Sequence, residues 1–140
     1  MHELTYRSTA KPNLSSDDLE NILNTAVTKN KSLNITGCLI YHKGIFIQTL
    51  QGTKEDIFNV YSGIEIDTRH ESVQLLWEGP SEKVVFDGWH MAYYSPGEKT
   101  NEVELKTFEN NLLILSSYHN DGSASVRLFW KEIKSLVFEK

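Results

Sequence analysis

The stretch ITGCLIYHKGIFIQTLQG, residues 35–52, governs how the rest of the chain must be arranged. Two short apolar runs, residues 38–41 and 45–50, flank a tight turn at His42, Lys43 and Gly44. β-Branched and aromatic residues on both sides of a glycine-bearing turn predict a β-hairpin. The second run contains Gln48, an uncharged amide inside an otherwise apolar strand. Left without hydrogen-bond partners in a core, that amide costs about 1–3 kcal/mol. What Gln48 faces therefore bears directly on function.

Upstream of the hairpin, Leu4, Tyr6 and Ser8 alternate with Thr5, Arg7 and Thr9, which predicts a first strand ended by Lys11, Pro12 and Asn13. Ser15 is then placed as a helix N-cap with Asp18 at N3, and Leu14 and Leu19 as a hydrophobic staple. Leu19, Ile22, Leu23, Ala26 and Val27 form one apolar stripe, and the helix is expected to reach about Ser32. Downstream, Thr53 caps a second helix with Asp56 at N3; Ile57, Val60, Tyr61 and Ile64 supply its stripe. A polar connection at residues 67–70 leads to a strand at 73–77, a turn at Gly79 and Pro80, and a last strand at 84–93 bent at Asp87–Gly88.

Two amphipathic helices need one sheet face to cover their stripes. The expected fold is α+β: a ferredoxin-like, five-stranded mixed sheet with both helices on one face. The strands are apolar on both sides in places, so the opposite face needs a cover too. Leu105, Phe108, Leu112 and Leu115, then Val126, Phe129, Ile133, Leu136 and Val137, recur at helical spacing around a loop at 120–123. The tail is read as a helical pair on the free face. Residues 1–97 then form one unit, and 98–140 an extension with too little core to stand alone.

At 140 residues the chain suits a single core. Its 14 basic residues are dispersed against 19 acidic ones, which argues against a nucleic-acid partner. Cys38 is the one cysteine, so neither an intrachain disulfide nor a thiolate metal cluster is expected. The opening MHELTYRSTA lacks a secretory pattern, and no apolar run approaches the roughly 18 residues of a membrane span. A soluble, reducing, cytoplasmic setting is the expectation. Phosphate-cradling glycine loops, G-x-S-x-G and H-E-x-x-H are all missing, and histidines 2, 42, 70, 90 and 119 have no metal spacing. No catalytic role is expected.

Tyr6 and Gln48 are the polar pair of interest. In the assumed topology they lie side by side under the two helices, with Phe46 and Leu50 on the same face and Asn30 near the end of the first helix. A phenol and two carboxamides make a donor–acceptor set suited to a flat heteroaromatic ligand with ring carbonyls and nitrogens. The bland alternative stays open: Tyr6 as a half-buried aromatic, Gln48 bonded to backbone or water, Asn30 as a cap. Arg69 either reaches such a ligand or pairs with Asp67.

The chain resembles the BLUF domain family, the blue-light sensors that use flavin. The resemblance is carried by YRSTA, ITGCLIY, FIQTLQG, DTRH and FDGWHM in that order, over residues 1–93. LQG stands where LEG is more usual, Lys29 where an uncharged polar residue or histidine is common, and Asn34 where glycine is common. The resemblance implies noncovalent binding of FAD, with FMN or riboflavin as alternatives. It implies Tyr6, Gln48, Trp89 and Met91 as photoactive residues. Tyr6, Ser8, Ile22, Asn30, Phe46, Gln48, Arg69 and His70 are then the flavin-binding set, and output goes to a protein partner or a second copy. The cofactor-free rival is a ferredoxin-like protein-interaction module, and a small phosphate-ester hydrolase on the same architecture is a more distant one.

Overall fold

The computed structural model describes residues 1–81, 92–94, 102–118 and 124–138. In chain order the elements are β1 (His2–Ala10), α1 (Ser16–Ser32), β2 (Thr36–His42), β3 (Ile45–Gly52), α2 (Lys54–Ile66), β4 (His70–Pro80), β5 (Ala92–Tyr94), α3 (Glu102–Tyr118) and α4 (Ala124–Phe138). The hairpin forms where the apolar runs lie. Lys43 and Gly44 both have positive φ, 49° and 79°, as a two-residue turn matched to strand twist requires. Ser15 caps α1 through a complete capping box with Asp18, and the Thr53 side chain accepts from the Asp56 backbone at the start of α2. Asn34 takes the left-handed conformation after α1, φ 55°, which asparagine tolerates better than most residues.

The sheet order is β4-β1-β3-β2-β5. β1 is antiparallel to both β3 and β4, β2 is antiparallel to β3, and the three-residue β5 runs parallel to β2. Each of α1 and α2 thus joins two parallel strands that have an antiparallel strand between them, the split βαβ arrangement. Register fixes which side chains share a face. Tyr6 lies opposite Gln48 and Leu4 opposite Leu50, while Thr5 lies opposite Thr49 on the other side of the pleat.

One apolar cluster joins Leu4, Tyr6, Leu39, Phe46 and Leu50 to Leu19 and Ile22 of α1 and Ile57, Val60 and Tyr61 of α2. A second joins Cys38, Ile40 and Ile47 to Phe108 and Leu112 of α3 and Val126, Phe129, Trp130, Ile133 and Val137 of α4. The molecule is therefore an α+β fold with a mixed sheet and helices on both faces. α4 lies across β1–β4, and α3 packs against it.

One sequence expectation fails among the described residues. Gly79 and Pro80 do not turn the chain but finish β4, opposite Glu3 and His2. A Cβ on Gly79 would lie 2.3 Å from the Trp77 ring, so glycine is needed to admit the indole. Proline is tolerated because β4 is an edge strand. The expected strand at 84–93, its bend at Asp87–Gly88 and the loop at 120–123 lie wholly or largely outside the described residues.

Candidate functional site

The hairpin and β1 deliver the central pair. Because Tyr6 and Gln48 are register partners, their side chains emerge adjacent on the α1/α2 face, and the Tyr6 hydroxyl donates to Gln48 Oε1 at 2.5 Å. Both residues are buried, as is Asn30. Burial, with smaller contributions from Tyr61 and Asp67, holds the Tyr6 hydroxyl far above the usual tyrosine range. Tyr6 is accordingly an O–H donor at neutral pH, and its proton points at an amide oxygen.

A cleft opens between α1 and α2 above this pair. Its lining includes Tyr6, Ile22, Asn30, Leu39, Phe46, Gln48, Arg69 and His70. Asn30 is 1 % exposed, and neither its Nδ2 nor its Oδ1 has a hydrogen-bond partner among the described residues. A buried carboxamide in that condition costs about 1–3 kcal/mol, which a ligand offering one acceptor and one donor would recover. Such a ligand matches the edge of a flavin ring, with its carbonyl oxygens and ring N–H.

Arg69 and His70 sit at the rim with different partners. The Arg69 guanidinium grips Asp67, with Nη2 at 2.7 Å and Nε at 3.0 and 3.2 Å from the carboxylate oxygens. That contact lowers the Asp67 carboxyl below its usual range and raises the Arg69 guanidinium. Of the two roles open to Arg69, the structure contains the ion pair. His70 Nδ1 lies 2.9 Å from Ser8 Oγ, and its ring is 4.8 Å from that of Phe46. Desolvation lowers the His70 pKa, so the ring is neutral at pH 7. Ser8 therefore orients His70 from below and does not itself line the cleft.

Leu39 on β2 and the remaining lining residues were not singled out as site residues by the sequence: Thr25, Ala26 and Lys29 on α1, and Val60, Gly63, Ile64 and Asp67 on or beside α2. A signal existed. Residues 22, 25, 26, 29 and 30, and 60, 63, 64 and 67, follow the three-and-four spacing of a single helix face. These two faces look at each other across the cleft. Trp89 and Met91 lie outside the described residues.

A split βαβ sheet with a polar-floored cleft between its two helices defines a small ligand-binding module. Residues 1–92 match the family model "Sensors of blue-light using FAD", and the chain belongs to that BLUF family. The matched segment is a sensor of flavin type and not a catalytic domain.

Among curated proteins, the photoactivated adenylate cyclase subunit alpha of Euglena gracilis is 38 % identical over 107 residues, covering 75 % of this chain and 10 % of that protein. The chain thus spans about a tenth of the length of such relatives. Among solved structures, BlrB, a BLUF protein in its dark state, superposes with a TM-score of 0.70 at 25 % identity, covering 96 % of this chain and 95 % of that one. Klebsiella pneumoniae BlrP1 with FMN and cyclic diGMP superposes with a TM-score of 0.74 at 28 % identity, covering 98 % of this chain and 34 % of that one. Among the described residues no helix is long and apolar enough to cross a membrane.

Proposed function

We propose that this protein is a blue-light photoreceptor that holds FAD, or a shorter flavin, noncovalently between α1 and α2. The observation that carries this reading is the buried, unpartnered Asn30 amide facing the same cleft as the Tyr6–Gln48 hydrogen bond. When bound, the flavin supplies blue-light absorption and one-electron redox chemistry. Asn30 and Gln48 would fix the ring edge, Ile22, Leu39 and Phe46 would pack on its faces, and His70 would close the rim.

The switch belongs to the chain itself. Tyr6 is a protonated phenol whose hydroxyl donates along a short, dry hydrogen bond to Gln48 Oε1. Loss of an electron from that ring acidifies the hydroxyl, and the proton's path leads to the Gln48 amide oxygen. An amide that has accepted a proton there, or has turned over, presents a donor where it had presented an acceptor. The residues around it then sit in a second hydrogen-bonded state, which is what a sensor needs.

Residues 1–97 form the sensing unit in this reading. The 98–140 extension, with Trp89 and Met91 leading to it, carries output to a protein partner or a second copy in the cytoplasm. Support comes from relatives named as photoactivated adenylate cyclases, which carry the matched segment inside far longer chains.

The test is an absorption spectrum of the purified protein in darkness and after blue light. A flavin band that moves slightly to longer wavelength and recovers in the dark is expected. Protein that takes up no flavin would overturn the reading. Gln48→Leu is expected to bind flavin and lose the reversible shift.

A further inference from the structure

Directly behind the Tyr6–Gln48 pair, on the opposite face of the same two strands, lies a buried cluster of three hydroxyls. Thr5 and Thr49 are register partners one residue from Tyr6 and Gln48, and both are 0 % exposed. The third is Ser125, also 0 % exposed, in the first turn of α4. Thr5 Oγ1 lies 3.0 Å from Thr49 Oγ1, 2.6 Å from Ser125 Oγ and 3.2 Å from the Ser125 carbonyl oxygen.

A threonine hydroxyl carries one proton. Here that proton has three acceptors in reach: one on β3 and two on α4. Donation to Thr49 ties β1 to β3, while donation to Ser125 ties β1 to α4. In a dry site each wiring is worth far more than it would be in water, so small changes in strand spacing decide between them. The β1–β4 ladder is also irregular at this point, as it is again between Arg7 and Thr9. The β1–β4 ladder changes register between Thr5 and Tyr6, so β4 does not hold these two residues in a regular pairing.

We infer that the Thr5–Thr49–Ser125 cluster is the contact through which the state of the Tyr6–Gln48 pair reaches α4, with Thr5 as the residue whose donation changes. The inference rests on the photoreceptor reading and names its route of output. Gln48 and Thr49 share a peptide, as do Thr5 and Tyr6. A new hydrogen bond at Gln48 therefore shifts both threonine side chains against Ser125. These hydroxyls position the helix and touch no ligand. A further tie from β1 to α4, Arg7 Nη1 to Glu132 Oε2 at 3.3 Å, is part-exposed and weak, and it serves as the comparison.

The experiment compares hydrogen exchange at the α4 amides in darkness and under blue light, with the absorption shift recorded on the same samples. In the wild-type chain α4 exchange is expected to differ between the two states. Thr5→Val and, at the helix, Ser125→Ala are expected to keep flavin and the absorption shift while shrinking that difference by about tenfold. Glu132→Gln is expected to leave it in place. A wild-type α4 without any light–dark difference would overturn the inference. So would a difference undiminished in both hydroxyl variants, or one lost equally in Glu132→Gln. Absence of the absorption shift in the wild type would remove the photoreceptor reading as well, so the two failures are distinguishable. Should Thr5→Val not fold, Ser125→Ala decides alone.

Discussion

Asn30 illustrates how much a single side chain tells only after its surroundings are known. Its type and its place near the end of a helix were legible; its burial without a protein partner was not, because that depends on α2 closing the other side of the cleft. Tyr6 and Gln48 were legible as a pair because strand alternation and hairpin register are both written locally. The unpartnered amide makes a signed prediction. Asn30→Leu removes two desolvated polar atoms, so flavin-free protein should lose no stability in urea, while flavin affinity should fall about tenfold or more. Equal loss of both would instead mean a structural role for Asn30. His70 adds a pH dependence. Its folded pKa is lowered by burial below the ordinary 6.5, so the unfolded chain binds the extra proton first. Stability is then full above 6.5 and is lost as pH falls from there toward the folded value. His42 is shifted the same way, by burial and then Lys43. Asp18 and Asp67, both lowered, matter only below their ordinary 3.8. Urea midpoints should therefore fall between about pH 7.5 and pH 5.5, and His70→Gln should flatten part of that slope.

At the scale of elements, the caps and the hairpin were read correctly because each is specified by a few adjacent residues. β4 was not: a Gly-Pro pair marks a turn unless a neighbouring ring, here Trp77 two residues away, needs the glycine and an open sheet edge excuses the proline, and the edge position is set by the sheet order, which is not local. The same distinction between local and non-local demands separates two hairpin glycines. Gly44 has a positive φ of 79° and nothing within 4 Å of an added Cβ. Gly44→Ala should cost only the strain of the left-handed conformation, about 1–2 kcal/mol. A Cβ on Gly37 would stand 2.0 Å from the Thr49 carbonyl oxygen, which is backbone and has no way to swing aside. Gly37→Ala should therefore push β2 off β3 and cost about 3 kcal/mol or more. Urea unfolding of the two variants side by side checks the ranking. A Gly37→Ala variant as stable as Gly44→Ala would mean the β2–β3 approach is looser than described.

At the scale of the whole molecule, the sheet serves two cores at once. The sequence disclosed this through strands apolar on both sides and a tail with two helical stripes, whereas the order of helices on that face depends on contacts no local pattern encodes. Phe129 is fully buried in the tail-side cluster with Ile47 and Cys38, while the neighbouring Phe46 and Gln48 belong to the cleft side. Phe129→Ala leaves a cavity on one face only and should cost about 3–5 kcal/mol. If the sheet makes both faces one cooperative unit, the variant should keep its dark flavin spectrum at low urea. It should then lose flavin and tail helicity together, in one transition at a lower midpoint. Independent faces would give two transitions, the tail melting first and the flavin released at an unchanged urea concentration. The shared strands favour the single transition, because β3 cannot lose Ile47's packing without moving the residues on either side of it. The same stiffness lets a change at Gln48 be felt on the face that carries α4.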